Sequence, residues 1–229
     1  MDRIIVEPPI QPLFGSMSPA PECTGAWFWH SGGGEKGQTF LSDEEAMRIS
    51  RMVDPHLRNR LATYLAERRG LLADLLACSA DKLRIGHDAD GKPFLPDFPG
   101  VEISLSDSLD WNALAISRQS PVGIDIEQVR MLAWERMLPM ICDEAEAETI
   151  RVAAGESRMP VAFYRCWTAK EAVLKAAGKG MRGDARSIFL PVSFIQGDVN
   201  ACEIIRLSAG YRIEVFETNE AVISRALQL

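Results

Sequence analysis

An α+β fold is predicted by three observations. A helical pattern is followed by short strands, the same plan returns in the second half, and a turn-rich stretch at Arg118 to Pro121 lies between them. A doubly wound parallel sheet would instead alternate strand and helix throughout. With 229 residues, 47% of them hydrophobic and 25% charged, the chain has an ordinary globular composition and room for one large domain or two small ones. The predicted division is 1–118 and 119–229.

Residues 1–25 carry five prolines without periodicity and read as an irregular arm. Gly25 to His30 is the first strand candidate, followed by a glycine-rich loop to Gly37. Ser42 with Glu45 makes a capping box that opens a helix to about Met52, where Asp54-Pro55 breaks it. From His56 to Ala77, leucines at 57, 61, 65, 72 and 76 predict a long helix bent at Gly70, with Arg58, Arg60, Arg68 and Arg69 on its flank. Lys82–Ile85, Val101–Leu105 and Ala113–Ser117 are short strand candidates. The second half opens with a strand at Val122–Glu127 and continues into helical patterns at about Trp134–Pro139, Asp143–Ala153 and Met159–Ala177. Strands at about Ile188–Phe194, Cys202–Ser208, Tyr211–Phe216 and Glu220–Ser224 complete it.

Charge and cysteine usage narrow the class. A net charge of −7 argues against nucleic acid or an anionic membrane as the main partner. Five scattered cysteines without a Cys-x-x-Cys pair read as reduced thiols of a cytoplasmic protein, and three dispersed histidines suggest no zinc site. No apolar run approaches the ~20 residues that span a bilayer, and Asp2, Arg3 and Glu7 spoil a signal peptide.

Two stretches carry the chemistry. In Val122-Gly123-Ile124-Asp125-Ile126-Glu127 the alternation puts Asp125 and Glu127 on one side of a strand. Taken alone, that pattern also fits the wet face of a half-buried strand. In Trp167-Thr-Ala-Lys-Glu-Ala-Val-Leu-Lys-Ala-Ala-Gly-Lys-Gly180, Trp167, Glu171 and Lys175 recur at i, i+4 and i+8 on one helix face, and Gly178 and Gly180 stop the helix. If strand and helix meet, three carboxylates and a lysine converge, an inventory suited to a hard divalent cation beside phosphate. The ordinary reading of Lys170 and Lys175 is surface lysine, and Trp167 reads as a packing anchor.

Together these stretches resemble the paired signature of the 4′-phosphopantetheinyl transferases, particularly the larger single-chain, surfactin-synthetase type. Upstream, Asp90-Gly-Lys-Pro-Phe-Leu-Pro96 resembles that family's Gly-Lys-Pro motif, and Ile103-Ser-Leu-Ser-Asp-Ser108 resembles its serine-histidine segment. The likeness runs from about Phe40 to the end of the chain. It implies two similar α+β halves about a pseudo-twofold, with the site between them; the chain's length, which holds two copies of the helix-and-strand plan, predicts a monomer that contains the whole site. The likeness also implies that Asp125, Glu127 and Glu171 ligate Mg²⁺, that Lys175 sits against the phosphate, and that Glu171 or a metal-bound water is the general base. Lys92 and Ser106 are implied to touch coenzyme A, with Arg58 and Arg69 the arginines selected to clamp its phosphates. Asp107 departs from the pattern, standing where many family members have histidine.

The activity implied is Mg²⁺-dependent transfer of the 4′-phosphopantetheine arm from coenzyme A to a serine of an apo acyl or peptidyl carrier protein. The alternative is a weakly active or inactive relative that binds carrier protein or nucleotide as an adaptor.

Overall fold

The structure is a computed structural model that describes residues 11–14, 24–31, 41–131, 133–178 and 183–229, without the side chains of 11–14 and 154–160. Within those residues the chain forms two antiparallel sheets, each served by a long helix, in agreement with the predicted α+β class.

The first half holds β1 (Gln11–Phe14), β2 (Gly25–His30), α1 (Asp43–Ser50), α2 (Pro55–Leu76), β3 (Gly86–His87), β4 (Pro93–Phe94), β5 (Glu102–Ser108) and β6 (Trp111–Ser117). Its sheet has the order β1-β2-β6-β5-β4-β3. Ser42 caps α1 through the expected capping box with Glu45. Asp54 and Pro55 do more than end α1: the Asp54 carboxylate accepts from the amides of His56 and Leu57, and Pro55 starts α2, where its missing N–H costs nothing. That helix continues through Gly70 for 22 residues. Lys82–Ile85 is not a strand, because the amides of Lys82 and Leu83 turn back to the Ser79 carbonyl.

The second half holds β7 (Val122–Gln128), α3 (Leu138–Ile141), α4 (Glu144–Ala176), α5 (Val192–Gln196), β8 (Ala201–Arg206), β9 (Ala209–Glu217) and β10 (Ala221–Gln228), in the sheet order β7-β10-β9-β8. Two expected helices are one: α4 runs 33 residues from an Asp143 cap. The strand expected at Ile188–Phe194 is absent. Pro191 offers no N–H to a ladder, and its carbonyl instead accepts from the amides of Phe194 and Ile195 to start α5.

Three buried clusters hold the molecule together. One lies under α2 in the first half, one surrounds α4 in the second, and a third joins the sheets through Ala26, Phe28, Ala113, Ala115, Val122, Ile124, Ile126 and Ile223. The chain passes from one sheet to the other between Ser117 and Val122, so β7 is at once an edge strand and the seam.

Candidate active site at the seam of the two halves

β7 reaches the site because of one glycine. A Cβ on Gly123 would lie 1.9 Å from the Ala172 carbonyl oxygen and 2.6 Å from the Ala176 nitrogen. Only glycine lets the strand lie directly on the α4 backbone at that point, and this close approach brings Asp125 beside the signature helix.

The outer edge of β7 is closed by serines. Ser104, Ser106 and Ser108 of β5 accept from the amides of Ile124 (3.0 Å), Ile126 (3.3 Å) and Gln128 (3.1 Å), a constant offset of 20 residues. An edge strand's free N–H groups are thereby satisfied from the other half without a backbone ladder. Two of these hydroxyls also donate to carboxylates: Ser106 to Asp125 Oδ1 at 2.8 Å and Ser108 to Glu127 Oε2 at 2.6 Å.

Lys175 closes the arrangement. Its ammonium donates to Asp125 Oδ1 at 2.7 Å, to the Ile124 carbonyl at 3.1 Å and to the Leu105 carbonyl at 3.4 Å, joining both halves and occupying all three N–H bonds. Asp125 is buried, and among the described residues its second oxygen, Oδ2, has no hydrogen-bond partner. Burial pushes the Glu171 carboxyl up, and the Asp125 charge adds to this against partial relief from Lys175. Burial likewise raises Glu127, with Asp125 reinforcing the shift and the Ser108 hydrogen bond opposing it.

The fit to a divalent cation rests on donor chemistry. Hard oxygen donors, the Asp125 charge felt by both Glu127 and Glu171, and an oxygen of Asp125 that is buried without a partner among the described residues suit Mg²⁺. Among the described residues, however, no three His, Cys, Asp or Glu side chains converge closely enough to hold an ion. The structure brings Asp125 together with Lys175 and Ser106, and leaves Glu127 tied to Ser108.

The other sequence candidates divide. Lys92 pairs with Glu102 at 2.6 Å and passes within 3.9 Å of where a Cβ on Gly178 would sit, so it reaches from the first half to the end of α4. Asp107 is exposed and points away from Ser106, lining a cavity of about 130 Å³ with Arg60, Tyr64, Leu57 and Asn112 on the α2 side of β5. Arg58 is half-buried on α2. Arg69 is buried, and its guanidinium donates to Glu45 at 2.8 Å and to the Ala80 and Leu83 carbonyls. Lys170 departs from its reading as a surface lysine. It is fully buried and donates to Glu146 at 2.5 Å and to the Ile141 carbonyl at 2.7 Å, holding α3 against α4.

Sequence reasoning did not assign Glu102, Ser104, Ser108 or Glu146. The serine alternation at 104, 106 and 108, in phase with the alternation of β7, was the available signal for two of them.

Residues 121–224, the half that carries Asp125, Glu171 and Lys175, match the model of the 4′-phosphopantetheinyl transferase superfamily. Over that stretch the chain is similar to the 4′-phosphopantetheinyl transferase superfamily. It is 30% identical over 145 residues to the 4′-phosphopantetheinyl transferase HetI of Nostoc, covering 62% of this chain and 61% of that one. It is 29% identical over 153 residues to the 4′-phosphopantetheinyl transferase Sfp of Bacillus subtilis, covering 62% and 67%. An L-aminoadipate-semialdehyde dehydrogenase-phosphopantetheinyl transferase of the rat is 25% identical over 186 residues, covering 71% and 60%. The alignments thus span about three fifths to two thirds of these relatives' lengths. Among the described residues no helix is long and apolar enough to cross a membrane.

Proposed function

We propose that the chain transfers the 4′-phosphopantetheine arm of coenzyme A to a serine hydroxyl of an apo acyl or peptidyl carrier protein, giving the holo carrier and 3′,5′-ADP. The observation that supports this most is the buried junction at the seam, where Lys175 bonds both halves and one Asp125 oxygen has no partner among the described residues.

Asp125, Glu127 and Glu171 would hold Mg²⁺, which when bound supplies Lewis-acid neutralisation of charge on the pyrophosphate. The chain's own groups do the rest. Lys175 exchanges its weakest contact, the 3.4 Å bond to Leu105, for a phosphate oxygen. Lys92, already reaching toward Gly178, exchanges Glu102 for a second phosphate oxygen. Glu171 accepts the proton of the attacking serine hydroxyl. Ser106 holds Asp125 in place while the other end of that carboxylate works. Arg130 and Met131 are exposed just beyond β7 and would meet the carrier protein; Lys179 and Arg182 lie outside the described residues.

The test is intact-mass spectrometry of an apo carrier protein incubated with the chain, coenzyme A and Mg²⁺. A mass gain equal to one phosphopantetheine arm, lost on chelation with EDTA, is the expected result. Stable binding of carrier or coenzyme A with no mass gain would establish the adaptor reading instead.

A further inference from the structure

Below the signature helix lies a cysteine pair with no part in the chemistry above. Cys142 caps the C-terminus of α3, and Cys166 sits inside α4, five residues before Glu171. Their sulfurs are 3.5 Å apart, both thiols are free, and both are buried, at 4% and 0% exposure, in the core of the second half. A disulfide needs about 2.05 Å, so the sulfurs must close by about 1.5 Å. The neighbouring ion pair fixes the frame around them, since Lys170 binds the carbonyl of Ile141, the residue before Cys142, and also Glu146.

We propose that Cys142 and Cys166 are an oxidative modification site, which closes to an intramolecular disulfide when the protein meets a peroxide.

The two thiols differ in the way such chemistry requires. The hydrogen bond from Cys166 lowers Cys142 against its burial, and the Lys170 ammonium helps, while Asp143 and Glu146 oppose it. The same hydrogen bond and complete burial push Cys166 well up. Cys142 is therefore the nucleophile, and Cys166 carries the proton. The Cys142 thiolate attacks one peroxide oxygen and the O–O bond breaks. The departing hydroxide takes a proton to become water, leaving a sulfenic acid on Cys142. The Cys166 sulfur then attacks the Cys142 sulfur, the S–O bond breaks, and the expelled hydroxide takes the Cys166 proton. The balance is two thiols and one hydrogen peroxide in, one disulfide and two waters out.

Exposure alone would choose other sites. Cys78 and Cys202 are more accessible, yet burial raises both thiols, Cys202 to about 11, and among the described residues neither is hydrogen-bonded to a second sulfur as Cys142 and Cys166 are. The competition gives a sharp test. The full chain is treated with equimolar hydrogen peroxide, digested without reduction and mapped by mass spectrometry. A cross-linked peptide joining Cys142 to Cys166, a parent mass about 2 Da lower and full reversal by dithiothreitol are expected. In Cys166→Ala, a dimedone adduct on Cys142 should appear in place of the cross-link. The wild-type map decides even if that variant does not fold. First oxidation at Cys78 or Cys202, a cross-link between other cysteines, or retention of both buried thiols at tenfold excess peroxide would each overturn the assignment.

Discussion

At the scale of single residues the site turns on Asp125, which accepts from Ser106 and Lys175 on one oxygen and whose other, buried oxygen has no partner among the described residues. Asp125→Asn keeps the shape and removes the charge, and Glu171→Gln removes the proton acceptor. Each is expected to lower transfer at least a hundredfold, about 2.7 kcal/mol of transition-state stabilisation, with unchanged circular dichroism. More than about a tenth of wild-type rate in either variant, in a mass-based assay, would remove that residue from the mechanism. Asp107 makes a second residue-scale case. An ionised carboxylate about 4 Å from a phosphate costs roughly 4 kcal/mol at an effective dielectric of ~20, so a ligand phosphate on that side of β5 must rely on Arg60 and its neighbours. Asp107→His should tighten coenzyme A up to tenfold, about 1.4 kcal/mol, and leave dephospho-coenzyme A unchanged. Calorimetry with both ligands checks this, and equal changes for the two would sink it.

At the scale of elements, the contact of β7 with α4 is set by Gly123. In Gly123→Ala the new methyl meets α4 backbone rather than a flexible side chain, so strand and helix must part. A loss of about 2–3 kcal/mol in urea unfolding is expected, with a larger fractional loss of transfer because Asp125 moves away from Lys175. Stability near wild type would show that the strand does not lie as close as described. α1 is tied to α2 by Glu45, which binds both Arg68 and Arg69. Burial alone would push the Glu45 carboxyl up, but the Ser42 amide and the two guanidiniums together hold it below the ordinary 4.5. A depressed folded-state pKa contributes stability above about pH 4.5 that is lost as pH falls through the folded value. Glu45→Gln strands two buried arginines and should cost about 3–5 kcal/mol at pH 7. The gap between variant and wild type should narrow as pH falls below about 4.5, and a gap independent of pH would mean the pair does not carry the effect.

At the scale of the whole molecule, both sides of the seam come from one chain: Ser104, Ser106, Ser108 and Lys92 from the first half, Asp125, Glu171 and Lys175 from the second. The apolar cluster between the sheets makes that pairing internal. The expected outcome is a monomer in light scattering whose specific transfer rate is unchanged on dilution from micromolar to nanomolar. A rate that falls with dilution would indicate that a second copy completes the site.

What the sequence determined by itself was periodic and local. The capping box at Ser42, the strand at β5, the alternation of β7, the helix through Trp167 and Lys175 and the two-half plan each rest on neighbours within a few residues, so they were legible in one dimension. The identity of the charged partners was not. Glu171 and Lys175 stand one turn apart and read as an i,i+4 pair, yet Lys175 bonds Asp125, 50 residues away. Lys170 and Arg69 sit in sequences that suit a wet helix face, and only the packing of α3 and of the Ala80–Leu83 turn makes them buried ties. Pro191 turned an expected strand into a helix start through a backbone donor it lacks. Local pattern sets which face of an element is polar, but which charge meets which depends on how two elements cross. That crossing is fixed at Gly123 by a close approach seen only when strand and helix are in contact.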